Sequence, residues 1–140
     1  MCVEAFQYAP YPPGAMAAIR RVLRPGGTAI ITVPLVWEYD RTVLEHRYTG
    51  PSLAALLADW EDVRVVENGG WTVSWATLTG RMLNLAEGRA PSVARPVFVA
   101  GYLLLNAVAA VLERFETRTA TGTVTLPMNL LVQARRPAAA

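Results

Sequence analysis

Few side chains in this sequence are of a type that does chemistry. His46 is its one imidazole, and it could take a proton from a hydroxyl or an amine. The plainer role for His46 is a partly exposed ring pairing with Glu45 or Glu38. Cys2 is the one thiol, which rules out an internal disulfide framework and a cysteine-built zinc site. Its plainer role is that of a small buried hydrophobe. With a single cysteine and a single histidine, metal chemistry would have to rest on carboxylates. Trp37, Tyr39 and Tyr48 lie near His46 in sequence and could line an apolar cleft, although aromatics in such a loop more often pack.

The elements that must position these residues follow from spacing. Residues 9–14 hold three prolines and form a loop. Ala15, Met16, Ile19, Val22 and Leu23 then recur at helical spacing, which predicts an amphipathic helix from about Pro13 to Leu23. Arg20, Arg21 and Arg24 crowd its C-terminal end, where the helix dipole favours cations. Pro25-Gly26-Gly27 stops it, with glycine expected in the left-handed cap. Thr28 to Val33 is a short apolar run of the kind found in parallel sheets. A long loop covers 35–50, and Pro51 sits near the start of a second helix carrying Leu53, Leu56, Leu57 and Trp60. Val63, Val65 and Val66 read as a strand closed by Asn68-Gly69-Gly70. Helix and strand alternate, which argues for an α/β sheet with helices on its faces.

The next fifty residues depart from that alternation. Trp71, Trp75, Leu78, Met82 and Leu85 are spaced four, three, four and three apart and make one helical stripe. Gly88 to Pro96 breaks the chain. Val97 to Leu112 is almost wholly apolar and falls short of the roughly 20 residues that cross a bilayer, so a buried helix is expected there. Thr123–Gln133 is strand-like, with Pro127 placing the start of the paired part near Met128. Arg135-Arg136-Pro137 and three alanines read as a solvated tail.

Composition bounds the function classes. The chain has 140 residues, a formal charge of +2 and 53% hydrophobic content, which suits a globular fold with a real core. A charge this small carries no nucleic-acid footprint. No basic region precedes an apolar one at the N-terminus, so no secretory signal is read and the expected compartment is cytoplasmic.

Two ordered blocks then carry a resemblance. Cys2-Val-Glu-Ala-Phe-Gln-Tyr-Ala-Pro-Tyr-Pro precedes the first helix, and Arg21-Val-Leu-Arg-Pro-Gly-Gly-Thr-Ala-Ile-Ile-Thr-Val-Pro34 follows. Together they resemble the region from the end of the fourth strand to the fifth strand of class I S-adenosylmethionine (SAM)-dependent methyltransferases, of the type 11-like group. Arg47-Tyr48-Thr49 before a leucine-rich helix is similar to the segment after that fifth strand. Met128 to Pro137 is similar to the family's last strand, which lies antiparallel between the fifth and sixth. The resemblance implies a partial Rossmann-like sheet (the end of strand 4, then strands 5, 6 and 7) with a helical insert or substrate cap at 71–116. In that reading 1–140 is one C-terminal methyltransferase fragment.

The resemblance also implies site residues. Cys2, Glu4 and Tyr8 fall where family members line the SAM pocket. His46 is the candidate base as the methyl leaves sulfur. Some O-methyltransferases bind a metal in this block through two Glu and a His. Here the matching positions read Glu4, Gln7 and Tyr8, so no metal is expected. The family holds SAM through a glycine-rich turn after its first strand and an acidic residue ending the second. The glycine pairs here lie elsewhere, so the chain alone is expected to be inactive. The implied function is SAM-dependent methyl transfer to a small apolar acceptor such as a lipid-like molecule. The alternative is a non-enzymatic helical interaction or membrane-surface module, working through 97–112, that retains a methyltransferase remnant.

Overall fold

Strand β2 (Thr28–Pro34) sits inside a four-stranded sheet and supplies the centre of its core. A computed structural model describes residues 1–119 and 125–138, with the side chains of 117–119 set aside. The expected strand-like residues 123 and 124 lie outside the described residues. The chain divides into two compact units, 1–68 with 128–140, and 69–127.

The first unit opens with β1 (Cys2–Val3), a 3-10 turn (Phe6–Tyr8) and α1 (Pro12–Val22) before β2. Helix α2 (Gly50–Leu56), β3 (Glu61–Asn68) and β4 (Asn129–Arg135) complete it. The strand order is β1-β2-β4-β3. β1 runs parallel to β2 through Cys2↔Ile31 and Val3↔Thr32, and α1 is the crossover that a parallel pair needs. β4 runs antiparallel to both β2 and β3. Ala29, Ile31 and Val33 alternate along β2 and face Ala134, Val132 and Leu130, so all six bury on one side of the sheet. Met16 of α1, Leu53 of α2, and Phe6, Tyr48 and Leu57 join the same core cluster.

Local chemistry explains where the helices end. α2 begins on Thr49, whose hydroxyl accepts from the Ser52 backbone while the Ser52 hydroxyl accepts from the Thr49 N–H, a reciprocal capping box. It ends at Leu56, so Trp60 lies beyond the helix expected to carry it. α1 ends at Val22, and Leu23 is extended rather than left-handed. Pro25 disfavours helical backbone in the residue before it, so the chain straightens ahead of the glycines. Gly26 takes the positive φ of 73° as part of a separate turn. That turn is stitched to the end of β4 by Gly26 N–H to Arg136 O at 3.0 Å and Arg136 N–H to Gly27 O at 2.8 Å.

The second unit is a helical hairpin, α3 (Trp71–Glu87) and α4 (Arg95–Thr119). The Glu116 carboxylate near the end of α4 accepts from the backbone N–H groups of Trp71 (2.7 Å) and Thr72 (2.9 Å), capping α3 from across the hairpin. A Cβ on Gly70 would lie 2.3 Å from Glu116 Oε1, so only glycine leaves room for this cap. Ser74 is fully buried and donates from its hydroxyl to Leu126 O at 2.7 Å.

One expectation fails here. The 97–112 run was expected to form a buried helix, yet none of the most apolar stretch of α4 is buried. The stripe Trp71, Trp75, Leu78, Met82 and Leu85 is likewise exposed. In a two-helix hairpin each helix has one partner, which covers one face and leaves the rest open. Helix α4 is also longer than the apolar run, because Glu113, Arg114 and Glu116 continue it with good helix formers.

The core alignment has a measurable consequence. Leu130→Ala removes a side chain that is 1% exposed and faces Val33 across the sheet. It is expected to destabilise the chain by about 2–5 kcal/mol, read as a lowered urea midpoint.

Candidate functional site

Parallel strands leave a crevice beyond their carboxyl ends, and ligands of open α/β sheets bind there. β1 and β2 meet that condition. Past their ends lies a cleft of ≈ 360 Å³ lined by Glu4, Gln7, Tyr8, Pro34, Val36, Trp37, Glu45, Met128 and Asn129.

Each wall has a local cause. Glu4 directly follows β1 with a φ of 48°, a left-handed conformation unusual for a residue with a side chain. Its N–H is held by the Thr32 carbonyl (3.1 Å) and the Thr32 hydroxyl (3.0 Å) of β2. Backbone held in this region often marks a working site. Gln7, 3% exposed, donates from Nε2 to Glu4 O at 2.9 Å. On the opposite side, the N–H groups of Leu35 and Val36 both donate to Met128 O, tying the start of the long loop to the entry of β4.

Arg47 organises that loop. Its guanidinium pairs with Glu45 and donates to the carbonyls of Glu38 (3.0 Å) and Trp37 (3.4 Å). The Glu45 side chain is only 5% exposed, so the pairing leaves a cleft-lining carboxylate matched with a cation. Asp40 turns the loop by accepting from the Thr42 hydroxyl (2.6 Å) and N–H (2.8 Å). These bonds, the hydroxyl's first, hold its carboxyl below the ordinary aspartate value.

Glu4 and Tyr8 reach the cleft, whereas Cys2 does not line it. Cys2 packs against the core from β1 and is half-buried. His46 is tied to the site through its backbone, donating from N–H to Gln7 O at 2.8 Å. Its ring lies 6.1 Å from that of Tyr48, and the Phe6 and Tyr48 rings lie 5.7 Å apart. The carboxylate suggested for His46, Glu45, is taken by Arg47 instead. Trp37 lines the cleft, Tyr39 is exposed and Tyr48 is buried. Burial pushes the Tyr48 phenol above its ordinary value.

Three buried polar atoms find no hydrogen-bond partner among the described residues: Gln7 Oε1, His46 Nε2 and Tyr48 Oη. Buried polar atoms of this kind are ordinarily paired with protein or with ordered water. No reading of spacing singles out Gln7 or Tyr48 for this, nor Glu45 and Asn129 for the cleft wall, because these placements depend on contacts between distant segments.

The donor set tests what the cleft can hold. With Glu45 matched by Arg47, the Glu4 carboxylate, the Gln7 amide and the aromatic faces suit a group bearing N–H or O–H donors or a positive charge. They do not fit SAM by themselves. Gly26 and Gly27 precede β2, and Gly69 and Gly70 follow the antiparallel edge strand β3. Among the described residues, no glycine turn follows a parallel strand to approach a nucleotide. No cluster of three or more His, Cys, Asp or Glu is present among the described residues either.

Comparison with known proteins gives little more. No family model matches the chain. No curated protein matches it. Among solved structures, the crystal structure of the [4+2]-cyclase SpnF is similar in chain trace at 18% identity and a TM-score of 0.48. That match covers 99% of this chain and 50% of the other, so this chain spans half its length.

The Arg47 clamp is testable. Arg47→Ala removes the cation from a nearly buried Glu45, which keeps only the Asp40 N–H, and frees two loop carbonyls. A loss of about 1–3 kcal/mol in unfolding free energy is expected, with faster amide exchange confined to 35–48.

Proposed function

We propose that this chain is the C-terminal half-sheet of a class I SAM-dependent methyltransferase and supplies one side of its site. The observation that carries the reading is the sheet order. An antiparallel last strand lies between two strands that precede it, next to a parallel pair whose carboxyl ends open on Glu4, Gln7 and Tyr8. The resemblance of Cys2–Pro34 to the strand 4 to strand 5 region of that family implies the same order.

The remaining parallel strands and the nucleoside-holding turn would come from another stretch of polypeptide. SAM bound there would supply the electrophilic methyl group. Glu4 and Tyr8 would face the cofactor, as the resemblance implies, Gln7 would offer an acceptor atom to a polar group of the small acceptor, and Trp37 and Val36 would pack its apolar part. Catalysis would rest mainly on holding the acceptor in line. His46 is the proposed proton acceptor, as the one imidazole of the sequence, carried on the loop after β2 with its backbone fixed to the cleft-lining Gln7. Cys2 is proposed only as core packing behind the site.

The experiment is a methyl-transfer assay on a protein that joins this chain to the missing parallel strands. His46→Gln is expected to lower kcat by about 10²–10⁴-fold with little change in KM. An unchanged kcat, with only the melting temperature reduced, would remove His46 from the chemistry.

A further inference from the structure

The hairpin poses a separate question, independent of any reading of the sheet unit. Helix α4 is long and apolar enough to cross a membrane, yet none of its most apolar stretch is buried. Two ordinary explanations for such a helix are a core helix and a secretory leader. The first would be buried, and the second would not follow a folded sheet unit.

Its charge pattern is that of a helix meeting lipid. No charged residue occurs between Arg95 and Glu113. The uncharged stretch between them is 17 residues, about 26 Å of helix, close to a hydrocarbon layer of about 30 Å, with Arg95 and Glu113 placed to reach the headgroups at either end. Arg95 opens it, Arg89 lies in the turn before it, and both are exposed where anionic headgroups could meet them.

The exposed apolar positions decide between occupants. Val97, Val99, Leu103, Leu104, Val111 and Leu112 are 45% exposed or more. At about 100° per residue they sweep more than half of the circumference. A single protein partner covers one face of a helix, whereas hydrocarbon wets every exposed side. The polar positions Tyr102, Asn106 and Glu113 share a groove with Val73, Thr77 and Gly80 of α3, which keeps them off the apolar arc.

We propose that α4 buries this arc in the hydrocarbon of a lipid bilayer and holds the chain at a membrane. The test is to express the full chain in bacterial cells, solubilise it and reconstitute it with vesicles of equal parts phosphatidylcholine and phosphatidylglycerol. The chain is then floated on a density gradient. The unchanged chain is expected to float with the lipid. Leu104→Glu with Val111→Glu changes two residues already exposed, so the helical circular dichroism should hold. The lipid-bound fraction should fall at least about a hundredfold. A chain that stays at the bottom of the gradient overturns the proposal, as does a double variant that floats equally well. A lipid-independent dimer dispersed by the two glutamates also overturns it and makes a second copy the occupant. Should the double variant lose its helix, Val108→Trp keeps the question open to measurement. Its added fluorescence must be quenched by lipids brominated on the acyl chain, and unquenched emission overturns the proposal.

Discussion

The sheet unit depends on β4 returning from the far end of the chain to lie between β2 and β3. Until it does, those two strands share no hydrogen bonds, since each pairs with β4 rather than with the other. The return also sets the register. Leu130, Val132 and Ala134 must meet Val33, Ile31 and Ala29, because a slip of one residue would turn all three toward the other face. The cleft inherits this constraint. Met128 O anchors Leu35 and Val36, and Asn129 completes the wall that Glu4 and Gln7 begin. The site is therefore assembled from three distant segments and cannot form before the sheet closes.

The hairpin is organised by a different interaction. Glu116 supplies two acceptors to the open backbone donors at the start of α3, and Gly70 leaves space for it. That contact fixes the open ends of the two helices together. It does nothing for their outer faces, which stay apolar and exposed. The two units thus present opposite cases. One buries its apolar residues within itself, and the other leaves a surface whose stability depends on what meets it.

Much of the architecture was legible from spacing. The helical period of Met16 and Ile19, the apolar run after Gly27 and the turn at Asn68-Gly69 each mark an element that exists close to its expected bounds. What spacing could not carry was anything decided by a distant partner. A stripe such as Trp71, Trp75 and Leu78 reports an apolar face but not whether another layer covers it. His46 beside Glu45 reads as a pair, yet the planar guanidinium of Arg47 holds that carboxylate along with two loop carbonyls. Gly26 and Gly27 read as a helix cap, but Pro25 ends the helix first and frees them for the β4 junction. Glu4 and Tyr8 came from a family resemblance, while Gln7 and Tyr48 as unpartnered buried groups emerge only from packing.

We propose that this chain carries one side of a methyl-transfer site and needs further parallel strands to hold the cofactor. Titrating SAM by calorimetry into the 140-residue chain, beside a protein that adds the missing parallel strands, tests it most directly. Heat is expected from the larger protein and none from the chain alone. Saturable binding by the chain alone would contradict the proposal and place a nucleotide pocket within the residues described here.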